Sequence, residues 1–163
     1  MRAYLPSTLP GLAAALRAGH LRPRVAFAVT PALREAYASG DQEELEYVAL
    51  TAAARASLRL LAEDPQAPPR RVVLAVEVDD AVVAASPHAE QDPAQVSISV
   101  NVLVGKLVSA HVDDEQAASD IRTAIQALPA ADEGDDDAAF DVDQAEGHEL
   151  GWYAAQELPH LVK

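Results

Sequence analysis

Strand-length apolar runs alternating with helix-length amphipathic stretches predict an α+β fold, a mixed sheet of about five strands packed with four to five helices. Residues 72–78 are almost uninterrupted Val, Leu and Ala, the pattern of a central strand covered on both faces. Residues 41–64 meet no helix breaker before Pro65 and carry apolar residues at helical spacing. The element order, β-α-β-α-α-β-β-β-α-α, predicts early β-α-β crossovers between parallel strands and later antiparallel hairpins. At 163 residues, half of them hydrophobic, the chain is expected to form one α+β domain over 1–163.

Arg2 to Leu5 is a short extended segment. Ser7 or Thr8 then caps a helix carrying Leu9, Leu12, Ala13 and Leu16, closed by Gly19. Val25 to Val29 is β-branched and aromatic, and Thr30-Pro31 opens a short helix ending at Ser39-Gly40. Asp41, with Glu44 in capping-box position, starts the longest helix. Its apolar face is expected to hold Leu45, Val48, Ala49, Ala52, Ala56 and Leu60. A polar stripe carries an Arg59–Glu63 pair four residues apart.

Asp64-Pro-Gln-Ala-Pro-Pro69 is a stiff connector into the 72–78 strand, and residues 79–93 form a turn-rich loop. Val96, Ile98 and Val100 alternate with polar residues in a half-exposed strand, beside which Leu107 to Val112 is expected to pair. Asp113-Asp114-Glu115 reads as helix-dipole chemistry at the start of a helix running to Pro129. Residues 130–142 read as an acidic linker before a C-terminal helix from about Gln144 to Leu158.

Charge is unevenly distributed. Residues 1–75 carry 9 Arg against 7 acids, while residues 76–163 carry 3 bases against 19 acids, for a net charge of −14. A field of that sign repels phosphate backbones and anionic membranes, so nucleic acid and membrane surfaces are disfavoured partners; the plain reading is acidity for solubility, with cations or a protein bearing a basic face left open as partners. The absence of Cys removes disulfides, thiol nucleophiles and cysteine metal sites. No segment resembles a signal peptide or reaches 18 uninterrupted apolar residues, which leads to an expected cytoplasmic location.

No motif spells out a reaction. None of the serines sits in a Gly-x-Ser-x-Gly elbow, and neither glycine-rich nucleotide-binding pattern occurs. His148-Glu149 lacks the second His of a zincin helix, and Glu157-x-x-His160 is a single motif interrupted by Pro159. The run from Asp132 fails the calcium-loop template at its sixth and twelfth positions. His111 beside Asp113 reads as a strand end. No catalytic, cofactor-binding or metal-ligating residue is assigned, and no cofactor is expected.

The segment 146–160 gathers the only Trp with His and Glu residues. On the expected C-terminal helix, His148, Trp152 and Gln156 form one stripe, and Glu149, Tyr153 and Glu157 form the next. These six, with Tyr47 and Arg55 from the long helix, are the candidate interface or pocket residues. A lone Trp opposite the leucine face is either covered by a loop or is an interface anchor.

At Met1 to Pro10, Thr30-Pro-Ala-Leu-Arg34, Glu43-Glu-Leu-Glu-Tyr47, Leu50-Thr-Ala-Ala-Ala-Arg-Ala-Ser57, His111-Val-Asp-Asp114 and His148-Glu-Leu-Gly-Trp-Tyr-Ala-Ala-Gln-Glu-Leu158, the chain resembles a family of small uncharacterised proteins of high-GC Gram-positive (actinobacterial) bacteria. The resemblance covers nearly the whole chain and implies a cytoplasmic bacterial protein, with no assigned activity to carry over. The expected function is a small accessory or protein-interaction domain without catalysis, with a homodimer also admitted. The alternative is a small-ligand binder or enzyme with its pocket at the C-terminal helix.

Overall fold

The computed structural model describes residues 1–163. Strand β1 (Arg2–Ser7) leads to helix α1 (Leu9–Ala18), the two-residue strand β2 (His20–Leu21) and strand β3 (Ala26–Ala28). Helices α2 (Pro31–Ala36) and α3 (Gln42–Glu63) return the chain to β4 (Val72–Glu77). Then follow β5 (Val83–Ala85), β6 (Gln95–Ile98), β7 (Val102–Leu103) and β8 (Leu107–Val112). Helices α4 (Ala118–Asp132) and α5 (Asp136–Glu146), strand β9 (Gly151–Ala154) and the one-turn α6 (Leu158–Leu161) complete the chain.

The fold is mixed α+β. Seven strands form one sheet in the order β5-β6-β3-β1-β4-β8-β9, and β2 pairs with β7 in a separate ribbon. Every neighbouring pair is antiparallel. The expected parallel crossovers are therefore corrected, and the strand count is larger than the sequence reading gave. The crossover through α2 and α3 does join two strands of the same direction, β3 and β4, but β1 lies between them. Connection length could not reveal this, because a link long enough for a parallel return also permits an inserted strand.

The cap residues explain why the helices start where they do. Thr8, Thr30, Asp41 and Asp135 each accept a backbone N–H from the first turn of α1, α2, α3 and α5. Gly19 closes α1 in the left-handed conformation at φ 83°, a region costly for any residue with a Cβ.

Burial divides the side chains of β4 by parity, as pleating requires. Val72, Leu74 and Val76 face a cluster with Leu5, Leu12 of α1 and Leu158 of α6. Val73 and Ala75 face Tyr4, Phe27 and the α3 residues Leu45, Ala49 and Ala53. Farther along, Leu58 and Leu61 of α3 pack on Ile121, Ala124 and Leu128 of α4 and Val142 of α5. The buried face of α3 is thus Leu45, Ala49, Ala53, Ala54, Ser57, Leu58 and Leu61, rotated from the expected set. One end of α3 meets the sheet and the other a helical hairpin, so a single stripe does not describe it. Ser57 is buried where α3 approaches the sheet: its hydroxyl donates to the Ser7 carbonyl at 2.7 Å and accepts from Val72 N at 2.9 Å.

Four local expectations are corrected. Residues 130–142 are not a linker: α4 runs through Pro129 to Asp132, Gly134 turns the chain at φ 94°, and α5 begins at Asp136. The acids Asp135, Asp136 and Asp137 are the cap and first turn of α5, where the helix dipole favours them. The C-terminal helix over 144–158 does not form either. The chain leaves α5 at Gly147 and pairs residues 151–154 with β8, because glycines at 147 and 151 weaken a helix there and the free edge of β8 supplies ladder partners. Strand β8 pairs with β4 and β9, while β6 pairs with β3 and β5. The loop at 79–93 contains β5.

The polar stripe of α3 also finds distant partners. Arg59 makes a two-pronged pair with Asp132, Arg55 bonds Glu146, and Glu63 bonds Arg24, in place of an Arg59–Glu63 pair. The two arginines thereby pin both ends of the α4–α5 hairpin to α3.

Candidate functional site

Positioning begins with a buried ion pair. Arg71, just before β4, and Asp113, just after β8, are 3% and 0% exposed and meet in a two-pronged contact with both N···O distances at 2.8 Å. Asp113 also accepts the Arg71 backbone N–H, and its carbonyl accepts from Arg70. Asp113 is therefore not helix-dipole chemistry; Asp114 does that work, accepting from Gln116 N. The Nη2 of Arg71 that meets Asp113 Oδ1 also donates to the carbonyl of His148 at 3.0 Å, which fixes the segment entering β9.

His148 is also held by its ring, with Nε2 2.7 Å from Asp120 Oδ2 on α4. Between α3 and this segment lies a cleft of about 150 Å³, lined by Tyr47, Leu50, Thr51, Glu146, His148 and Glu149, with Arg71 at its base. The fold thus brings Tyr47, His148 and Glu149 together. Arg55 stands beside them through its bond to Glu146.

The other candidates separate. Since β9 is a strand, its side chains alternate, and the stripe His148-Trp152-Gln156 does not exist. Tyr153 turns to the α1 side and packs against that core. Trp152 takes the opposite, α3-facing side, across from His111 of β8, which itself pairs with Val73. Helix α3 covers β3, β1 and β4 but does not extend over the β9 edge, so Trp152 is 62% exposed. Glu157 accepts the Ala154 backbone N–H at 2.7 Å and closes the strand end; Gln156 is exposed beside it.

His111 sits at the border of the covered area. Burial, and secondarily the positive charge of Arg2, push its pKa below the ordinary histidine value. It is a neutral ring in the sheet rather than an oriented base for Asp113, whose carboxylate is occupied by Arg71.

Tyr47 forms the ridge between two hollows. Beyond it, toward the start of α3, a second cleft of about 430 Å³ is lined by Tyr37, Glu43, Glu44, Leu45 and Tyr47. Tyr47 is 58% and Tyr37 48% exposed, large fractions for aromatic side chains. Tyr37 and Tyr47 line these clefts among carboxylates, and Trp152 is exposed on the same α3-facing side of the sheet. The basic residues lining the two clefts are Arg71, buried and neutralised by Asp113, and His148, whose ring meets Asp120.

Sequence reasoning missed Arg71, Asp113 and Tyr37. The pair is 42 residues apart, and no local pattern joins its members. Exposed tyrosines carry no periodic signal.

This geometry defines a class: an α+β protein on an antiparallel sheet, with an acidic and aromatic surface on one side. No group of three or more His, Asp or Glu side chains is placed to hold a metal, and no helix is long and apolar enough to cross a membrane. The chain belongs to the "Family of unknown function (DUF6912)", whose match spans residues 1–162. No curated protein and no solved structure matches it.

Proposed function

We propose that the protein is a small accessory domain without chemistry of its own, which docks a partner protein bearing a basic face through the strip from Tyr37 and Tyr47 to Glu149 and Trp152. The observation that carries this reading is Trp152: the only Trp of the chain stands 62% exposed on an edge strand. Trp and Tyr are the residues that dominate interface energetics, and their exposure in a free chain is costly unless something covers them. The free carboxylates Glu43, Glu44 and Glu149 give that surface the sign of the whole chain, so oppositely charged partners are steered toward it.

The Arg-rich, Ala-rich composition suits GC-rich coding, and the resemblance to small proteins of high-GC Gram-positive bacteria leads us to place the domain in the cytoplasm of such a cell. The cleft at His148 and Glu149, about 150 Å³, is smaller than the roughly 300 Å³ at which ligand pockets begin, which favours docking over small-molecule chemistry at that point.

The test is Trp152→Ala. Native mass spectrometry on gently recovered, tagged protein should show a reproducible second chain with the parent, and its loss with the variant. Because the ring is mostly exposed, stability should change by about 0.5 kcal/mol or less, and the thermal midpoint should move little. A large loss of stability with the complex retained would make Trp152 a packing residue and end this reading.

A further inference from the structure

We infer that the cleft between the end of α2 and the first turns of α3 receives a single organic cation, the side-chain head of a lysine or arginine presented by the basic partner. The inference rests on the reading of this face as a basic-partner surface and specifies where one charge of that partner goes.

The lining of the cleft has one sign. It holds the rings of Tyr37 and Tyr47, the carboxylates of Glu43 and Glu44, an apolar floor of Leu45 and Val48, and no basic side chain. The ion pairs of the chain use neither Glu43 nor Glu44, so both charges are free to meet a ligand. A cation over a tyrosine face gains about 0.5–1 kcal/mol when exposed and more when desolvated, and a nearby carboxylate adds to it. The floor suits the methylene stem of Lys or Arg, which covers apolar surface while its head stays polar.

Two positive contributions oppose this assignment: Arg34 of α2, bonded to Gln42 and in no ion pair, and the end of α3 itself. The N-terminus of α3 is a region of positive potential, equivalent to about half a charge. Three carboxylates, the cap Asp41 with Glu43 and Glu44, stand in that first turn and outweigh both. The net field at the cleft is negative.

The walls are also preformed. Gly40 N donates to the Tyr37 carbonyl at 2.9 Å, drawing the chain after α2 into a tight turn. A Cβ at Gly40 would come within 3.2 Å of that carbonyl and 3.3 Å of Leu45 Cδ2, so a larger residue would push the turn or Leu45 back by a few tenths of an ångström. Leu45 is buried in the α3-side core, which anchors the floor to the sheet.

The experiment titrates the full chain with Nα-acetyl-lysine amide, Nα-acetyl-arginine amide and tetramethylammonium chloride, each against sodium chloride at equal ionic strength, reading tyrosine side-chain resonances by NMR. Saturable shifts at Tyr37 and Tyr47 with an amino-acid amide are expected. They should weaken about threefold to tenfold in Tyr37→Leu, in Tyr47→Leu and in the double variant Glu43→Gln/Glu44→Gln. The leucines keep apolar bulk and net charge, so they isolate the ring contribution from general attraction to a chain of net charge −14.

Shifts that never saturate, or that survive both leucine variants, overturn the inference. Binding of tetramethylammonium alone does so too, since the ligand would then be a free quaternary amine. Failure of the amides while a Trp152-dependent complex persists removes the cleft and spares the docking surface. Saturable binding of the amides without any such complex supports the cleft and removes the docking surface.

Discussion

Single residues here divide into those that fasten and those that are left free. Arg71 and Asp113 fasten: a guanidinium and a carboxylate, both out of water, satisfy each other and two backbone groups, the Arg71 N–H and the His148 carbonyl. Breaking such a pair from one side strands a buried charge, which costs about 3–5 kcal/mol. Asp113→Asn should therefore lower the urea midpoint by a corresponding amount. It should also loosen residues 146–150 before the rest of the chain, because the arginine prong on the His148 carbonyl loses its anchor; hydrogen exchange of that segment measures this. An unchanged midpoint would mean that water reaches the pair. Tyr4 illustrates the same burial: its hydroxyl pKa is pushed up to about 12, chiefly by desolvation and next by Glu46, so it stays a neutral ring at any working pH.

At the scale of elements, the α4–α5 hairpin shows how acids that look like a solvated run become structure. Asp135 caps α5 by accepting Ala138 N at 2.9 Å, and Gly134 makes the turn before it. Asp135→Ala should cost about 1 kcal/mol, the ordinary worth of a side-chain N-cap. The loss should appear as faster amide exchange at residues 136–139, with β4 and β8 unaffected. Uniform destabilisation of the sheet would show that the hairpin and sheet unfold as one unit. Strand β9 is the counterpart: four residues, the strand-favouring Trp152 and Tyr153 among them, that pair along the open edge of β8. That change of element moves Tyr153 and Trp152 to opposite faces and leaves the Trp free.

Across the whole molecule, stability should depend on pH in two windows. His111 is held neutral in the sheet with its pKa below the usual value of about 6.5, so as pH falls the unfolded chain takes up this proton first. The contribution is complete above about pH 6.5 and is lost as pH falls through the folded value. A second loss comes lower, because the hydrogen bond from Arg59 pulls the Asp132 pKa below 3.8 and protonation removes that clamp on the hairpin. Urea midpoints measured from pH 8 to pH 3 should show both declines, and His111→Gln should flatten only the first. A profile unchanged by that substitution would place the sensitive group elsewhere.

Much of this was legible in the chain. The caps at Thr8, Thr30 and Asp41, the closure at Gly19, the length of α3 and the buried strand at 72–77 follow from spacing and turn chemistry, which act within a few residues. Tyr47, His148 and Glu149 were named from local composition and do share one cleft. What tertiary structure alone decided is every choice that needs a distant partner. Strand direction and order, the fate of 144–158, the pairing of Arg71 with Asp113 and the rotation of α3 were all fixed by contacts between residues tens of positions apart. Local propensity is worth a fraction of a kcal/mol per residue, whereas burying one large side chain or satisfying one buried charge is worth several times that. In β9 the glycines weaken a helix, but it is the pairing with the edge of β8 that places the strand and, with it, decides which aromatic rings face the solvent.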